Sequence, residues 1–251
     1  MAGRLEVFAV EGIGEIKRGD DLGAVIVQAL GHRQAALRDR DVVTVAQKAV
    51  SKSEGAVVDL KTVKPSEFAL RFAAVAAKDP RVVEVVLRES ARIVRMDRGV
   101  IISETRHGLI CANAGVDASN AAAEGQVTVL PIDPDSSASR IRQSIQKLAG
   151  VDVAVIVSDS FGRPWREGSV NVAIGVAGMA ALDDLRGRAD DRGRVMRTSV
   201  VAVADELASA AQLVIGETGG TPAAVIRGFA WKHADTGAAP LRRASEKDLF
   251  R

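Results

Sequence analysis

Val151-Asp152-Val153-Ala154-Val155-Ile156-Val157 is the strongest strand candidate in the chain, and Ser158-Asp159-Ser160 follows it without a break. Its alternating small and branched apolar residues suit a strand covered on both faces, so the run predicts one strand of a covered sheet. The polar triplet then falls at the strand's end, where chemistry-bearing residues are commonly presented. Asp41-Val42-Val43-Thr44-Val45-Ala46 reads the same way and opens directly into Gln47-Lys48-Ala49-Val50-Ser51-Lys52-Ser53-Glu54-Gly55. The two runs set the frame: buried strands that release polar clusters at the rim of a site.

Working outward, further strands are predicted over residues 5–10, 56–60, 99–102, 108–111, 126–130, 171–176 and 198–203. Helices are predicted over 22–30, 65–78 and 137–148. The last of these is preceded by an Asp133-Pro134-Asp135 turn and ended by Gly150. Asp79-Pro80 supplies a cap and first-turn proline for another helix, with Val83, Val86, Leu87 and Ala91 on one face. Asp205 is predicted to cap a helix that turns Leu207, Ala211 and Val214 inward. Strands and helices interleave throughout, which gives a mixed α/β fold. We find no internal repeat and no low-complexity linker, so the expectation is a single domain over 1–251, divisible into two structural lobes.

Of the 251 residues, 47% are hydrophobic and 26% charged, the balance of a soluble globular protein with one substantial core. Only 3% are aromatic and Tyr is absent, so the interior must rest on Val, Ala, Leu and Ile. The formal charge of +2 and the lack of a basic run argue against a nucleic-acid partner. Cys111 is the only cysteine, which excludes an intramolecular disulfide and fits a reducing compartment. No apolar run reaches the roughly 20 residues that span a bilayer, and the N-terminus has no signal-peptide core. No membrane partner and a cytoplasmic location are therefore expected.

Three acids are placed to point into a pocket: Asp117 in a turn, Asp159 after a strand, and Glu217 in a glycine-rich loop. Carboxylates suit Mg²⁺ or Mn²⁺, which favour oxygen ligands shared with phosphate. Solvated turns, helix caps and salt bridges would equally account for acids so remote in sequence. Lys48 and Lys52, four residues apart, share a face if their segment is helical; they then either neutralise phosphate or cover the surface. Ser158-Asp159-Ser160-Phe161-Gly162-Arg163-Pro164-Trp165-Arg166 joins an oxygen ligand to two guanidiniums, which recognise phosphate or carboxylate bidentately. Trp165 either stacks on a planar ligand or pins this loop to the core. His107 and Cys111 make no protease triad, since no Gly-x-Ser-x-Gly elbow accompanies them; the thiol reads as packed. No Gly-x-Gly-x-x-Gly lies between a strand and a helix, and the glycines at 12 and 14 are not a Walker loop, so Rossmann and P-loop folds are excluded.

Several unusual blocks occur together and in order: GIGEIKRGDDL (12–22), VAQKAVSKSEG (45–55), KDPRVVEVVLRES (78–90), SETRHGLICANAGVDASN (103–120), SDSFGRPWREG (158–168) and VADELASAAQLVIGE (203–217). Together they resemble the coenzyme F420-0:L-glutamate ligase family over nearly the whole chain, with ETRHG, CANAGVD-x-SN and SD-S-FGRPWR the most distinctive stretches. The resemblance implies the fold of those ligases, with mixed or antiparallel sheets. It implies nucleotide contacts at Ile13, Gly14, Glu15, Ile16, Gln47, Lys52 and Asn120, and in the loop holding Gly216, Thr218, Gly219, Gly220, Thr221 and Pro222. It places divalent-metal ligands at Asp117, Asp159, Ser160 and Glu217. Gly14 stands where many members have proline, and Gln47 occupies a variable polar position.

The implied reaction activates the lactyl carboxylate of F420-0 with the γ-phosphate of GTP and condenses the acyl phosphate with the amine of L-glutamate. Repetition would give F420-1, F420-2 or longer tails. Two Mg²⁺ or Mn²⁺ ions, K⁺ as an accessory, and a homodimer are implied with it. Arg106, Arg163 and Arg166 are expected to position the anionic acceptor or glutamate, and no unique acid or base is assigned. The competing readings are a nonenzymatic GTP- or cofactor-binding regulator, another nucleotide-dependent amide ligase, and a purely structural protein.

Overall fold

The computed structural model describes residues 3–32, 35–118, 124–217 and 219–248. In chain order the elements are β1 (Glu6–Ala9), α1 (Leu22–His32), β2 (Val42–Ala46), α2 (Gln47–Glu54), β3 (Val57–Asp59), α3 (Glu67–Ala76), α4 (Pro80–Glu89), β4 (Ser90–Asp97), β5 (Val100–Thr105) and β6 (Ile110–Ala112). They continue with β7 (Gln126–Thr128), α5 (Pro134–Ala149), β8 (Ala154–Arg163), β9 (Arg166–Ala177), β10 (Asp183–Asp184), β11 (Val200–Val201), α6 (Val203–Ile215) and β12 (Ala223–Arg227).

The central sheet has the order β1-β12-β2-β8-β9. Only β2 and β8 pair in parallel; every other neighbouring pair is antiparallel. Alternation along these strands sends side chains to two covered faces. On one face Val43, Val45, Val155, Val157 and Val225 pack against Leu22, Ile26 and Leu30 of α1 and Ala138, Ile141 and Ile145 of α5. On the other, Val42, Ala154, Ile156, Ala224 and Ile226 meet Ala204, Leu207, Ala208 and Ala211 of α6. Each such Val or Ile stabilises the fold by roughly 1.5–3 kcal/mol on burial, before chain entropy is subtracted. An antiparallel β4-β5-β6 sheet and a β3-β7 ladder, packed with α3 and α4, carry two smaller apolar clusters. The fold is mixed α/β with open mixed and antiparallel sheets, neither Rossmann nor P-loop. Among the described residues no helix is long and apolar enough to cross a membrane.

Several boundaries differ from the sequence reading. β8 begins at Ala154, not Val151, and runs on to Arg163, since its polar half pairs with β9 from Ser158↔Ala173 to Gly162↔Ser169. The predicted Ser158–Arg166 loop is therefore a β-hairpin; cross-strand hydrogen bonds hold residues that give no hydrophobic signal. Asp133-Pro134-Asp135 is the start of α5 itself: Asp133 accepts from Ser136 N and Pro134 is the first helical residue. α4 ends at Glu89, so Ala91 lies in β4, a strand missed because most of it is at least partly exposed. The predicted 198–203 strand shrinks to Val200–Val201, and α6 starts at Val203 with Ala202 at its cap position. Asp205 sits inside the first turn of α6 and accepts instead from Ala173 N at 2.9 Å, tying the helix to β9.

Candidate active site

Register brings the polar segments together. β2 and β8 run in parallel with Ala46 opposite Ser158, so their carboxyl ends reach the same edge of the sheet. β12 is antiparallel to both, with Ala223 opposite Val45, which delivers the preceding 216–222 loop to that edge. β1 ends at Ala9 opposite Ala224, and Val10 N donates to Ala223 O at 2.9 Å, so the 11–16 segment emerges there as well. The carboxyl ends of adjacent parallel strands are the usual place for ligands in open α/β sheets. Here they border a cleft of about 790 Å³, a volume suited to a small-molecule ligand.

The cleft is lined by Ile13, Gly14, Glu15 and Ile16; by Gln47, Lys48 and Lys52 of α2; by Asp117, Ser158, Asp159, Ser160 and Asn171; and by Gln212, Gly216, Glu217, Gly220, Thr221 and Pro222. Most residues singled out from sequence thus share one wall system. Gly219 does not line it. Asn120 and Thr218 lie outside the described residues. Arg106, Arg163 and Arg166 also stand apart: Arg106 donates to Arg88 O at 2.7 Å, and Arg163 donates to Glu167 O and Gly168 O within its own hairpin. Trp165 is 80% exposed at the hairpin turn, so it does not pin that loop to the core. His107 Nε2 lies 2.8 Å from Pro131 O and fastens the β5–β6 turn to the segment before α5.

Two helix ends face the cleft with opposite polarity. The amino end of α2 opens there directly, since β2 passes into it without an intervening residue and Ala46 provides no side-chain cap. Its free amides and partial positive charge favour an anion. Lys48 and Lys52, one turn apart, add two ammonium groups; Lys52 lies 3.8 Å from Glu15. Buried Gln47 is fixed by donating to Val129 O at 3.1 Å, while Ser51 Oγ donates to the same carbonyl at 2.6 Å. The carboxyl end of α6 also lines the cleft, with Gln212, Ile215 and Gly216. Its carbonyls favour a cation.

Asp117, Asp159 and Glu217 line the same cleft. Burial is the main reason that the Asp159 carboxyl is pushed up to about 6, and the charges of Asp117 and Glu217 push the same way. A hydrogen bond from Ser160 N and the charge of Lys48 oppose them. Asp117 reaches the cleft from the smaller β3–β7 unit through reciprocal backbone bonds with Thr128, and its Oδ2 lies 2.6 Å from Lys48 Nζ. Ser160 Oγ donates to Asn171 Oδ1 at 2.7 Å and lies 3.4 Å from Glu217 Oε1, while Gln212 Nε2 donates to that oxygen at 2.6 Å. Asn171 and Gln212 were missed from sequence. Asn171 is legible only through its pairing with Ser160 across the hairpin, which no linear motif displays.

One largely buried carboxylate, Asp159, and the more accessible Asp117 and Glu217, with serine and amide oxygens nearby, form an all-oxygen donor set, the chemistry that Mg²⁺ or Mn²⁺ selects. In the conformation described, each acid is engaged with protein groups; among the described residues no three His, Cys, Asp or Glu already form a ligand shell. The residues fit a divalent ion by charge and donor type. Cys111 is a bystander: burial, with Asp159's charge adding to it, pushes its thiol up to about 12.

Comparison with known proteins shows the family. The family model described as F420-0:Gamma-glutamyl ligase matches residues 12–228. The coenzyme F420:L-glutamate ligase of Methanothermobacter thermautotrophicus is 46% identical over 250 residues, covering 98% of this chain and 99% of its own length. That of Methanopyrus kandleri is 46% identical over 94% of each chain. That of Archaeoglobus fulgidus is 40% identical over 99% of this chain and 97% of its own. The chain is thus an enzyme, a ligase. The chain belongs to the F420-0:gamma-glutamyl ligase family.

Proposed function

We propose that this chain joins L-glutamate to F420-0 with GTP as phosphoryl donor. The lactyl carboxylate of F420-0 attacks the γ-phosphorus, breaking its bond to the β–γ bridging oxygen and releasing GDP. The glutamate amine then attacks the acyl carbon of the acyl phosphate, the carbon–oxygen bond breaks, and phosphate leaves as the ammonium proton passes to solvent. The γ-carboxylate of the new residue can re-enter as acceptor, giving F420-1, F420-2 or longer tails. The observation that supports this reading is the charge gathered in one cleft: the amino end of α2 with Lys48 and Lys52, beside the carboxylates of Asp117, Asp159 and Glu217.

In this reading the Ile13–Ile16 segment, Gln47, Asn120 and residues 216–222 hold the nucleotide. The amino end of α2 and Lys52 face its phosphates. Asp117, Asp159, Ser160 and Glu217 would hold two divalent ions. Bound there, such ions lower the repulsion between a carboxylate and a triphosphate and stabilise charge on the transferring oxygens. Asn171 and Gln212 orient Ser160 and Glu217, so that free lone pairs face the cleft. The cleft aligns the carboxylate with the γ-phosphorus, and that positioning is itself a large part of catalysis. Arg106, Arg163 and Arg166 would meet substrate projecting beyond the cleft wall. A homodimer, accessory K⁺ and a cytoplasmic location complete the proposal and rest on the family resemblance.

The test is to incubate the purified protein with F420-0, L-glutamate, GTP and Mn²⁺ or Mg²⁺, then measure product mass and GDP. A glutamyl adduct formed with stoichiometric GDP is expected. Folded protein that yields neither refutes the reading, and equal turnover with ATP refutes its nucleotide half.

A further inference from the structure

Lys48 is in an unexpected place for a phosphate-binding lysine. It occupies the second position of α2, where the positive end of the helix disfavours a cation. Exposed lysines usually extend into water, because the ammonium is strongly hydrated and its stem is flexible. Lys48 instead crosses the cleft: its Nζ lies 2.6 Å from Asp117 Oδ2, and both side chains are about one-third exposed. The two residues belong to different walls, one on the central sheet's helix and the other beside Thr128.

We infer that Lys48 is a place-holder cation: its ammonium neutralises the Asp117, Asp159 and Glu217 carboxylates until a divalent ion displaces it from Asp117. This deepens the proposed function and rests on its placement of the metal. Three carboxylates carry −3; the ammonium brings the group to −2, and a divalent ion in its place brings it to −1, so the exchange favours the metal electrostatically. An ion bound to Asp117 Oδ2 and an ammonium 2.6 Å from that oxygen would repel each other strongly, so the two occupy it in turn. The displaced Lys48 stays one turn from Lys52, beside the open amides of α2, and its flexible stem lets it swing to the anion-binding side. Metal loading thereby frees a cation for phosphate, and phosphate drawing Lys48 away in turn exposes Asp117 to metal. The coupling is reciprocal by linkage.

The test is a Mn²⁺ titration of nucleotide-free protein, followed by the electron paramagnetic resonance of free Mn²⁺, for wild type, Lys48→Met and Lys48→Arg. Removing the competing charge should tighten Mn²⁺ binding by Lys48→Met about tenfold, within the usual range of coupling between sites. Lys48→Arg, which keeps the charge, should bind no more tightly than wild type. Without metal, Lys48→Met should unfold at a lower temperature than wild type and gain more from Mn²⁺. Equal or weaker Mn²⁺ binding by folded Lys48→Met overturns the place-holder role, as does a wild-type protein that binds no Mn²⁺. Failure of the ligase reading is seen separately: wild type would then bind Mn²⁺ and release Lys48, yet form no glutamyl product.

Discussion

Asp159→Asn should make the metal-free protein more stable while disabling it. The carboxyl is lifted from its ordinary value of 3.8 to about 6, chiefly by burial, then by the charges of Asp117 and Glu217. Ionising it therefore costs the folded state more than the unfolded chain. A rise of about two pH units, at roughly 1.4 kcal/mol each, sets a ceiling near ~3 kcal/mol at neutral pH. The side chain keeps some solvent contact, which screens part of this, so a gain of about 1–2 kcal/mol is expected for the amide. The sign follows from the direction of the shift. Wild type keeps its full stability below pH 3.8 and loses this contribution as pH rises through about 6, so the variant's advantage vanishes in acid and levels off above neutrality. Urea titrations in EDTA at pH 5 and pH 7.5 measure it, and a thermal midpoint raised by about 3–6 °C at pH 7.5 should accompany it. Adding Mn²⁺ should stabilise wild type but not the variant, because the metal must bind the deprotonated carboxylate. An Asp159→Asn protein less stable than wild type in EDTA at pH 7.5, or equally stabilised by Mn²⁺, would refute the account of this site.

Three further outcomes test the scaffold. Arg227→Met removes the charge partner of Asp41, only 1% exposed and held by guanidinium contacts of 2.8 and 2.9 Å, and leaves it the hydrogen bond from Arg38 N; a loss of roughly 3 kcal/mol in urea unfolding is expected, and a loss under about 1 kcal/mol would contradict it. Gly175→Ala places a Cβ 2.2 Å from Pro134 O, where the start of α5 crosses β9, so calorimetry should show a midpoint lowered by a few degrees for a cost of about 1–3 kcal/mol. Cys111, with its thiol pushed up to about 12, should react with Ellman's reagent at pH 8 only as fast as the protein unfolds. Rapid labelling of the native protein would show that the thiol is not buried as described.

The sequence by itself determined the mixed α/β class, the covered strands around Val43 and Val155, and some helix ends, because apolar periodicity and capping residues act locally. Asp79 and Gly150 cap their helices where the sequence reading places them. The ordered motifs also pointed to the family. Tertiary structure decided what long-range pairing controls. Hydrogen bonding to β9 extends β8 through Ser158–Arg163, and a bulge at Ile174, between the Val157↔Gly175 and Ser158↔Ala173 pairs, adjusts the strand where it enters the cleft. Asn171 joins Ser160 only across that hairpin, and Lys48 meets Asp117 only because residues 48 and 117 come to face each other across one cleft. A one-dimensional pattern records what each segment prefers; which charges share a low-dielectric space depends on sheet register and packing, and those are properties of the whole chain.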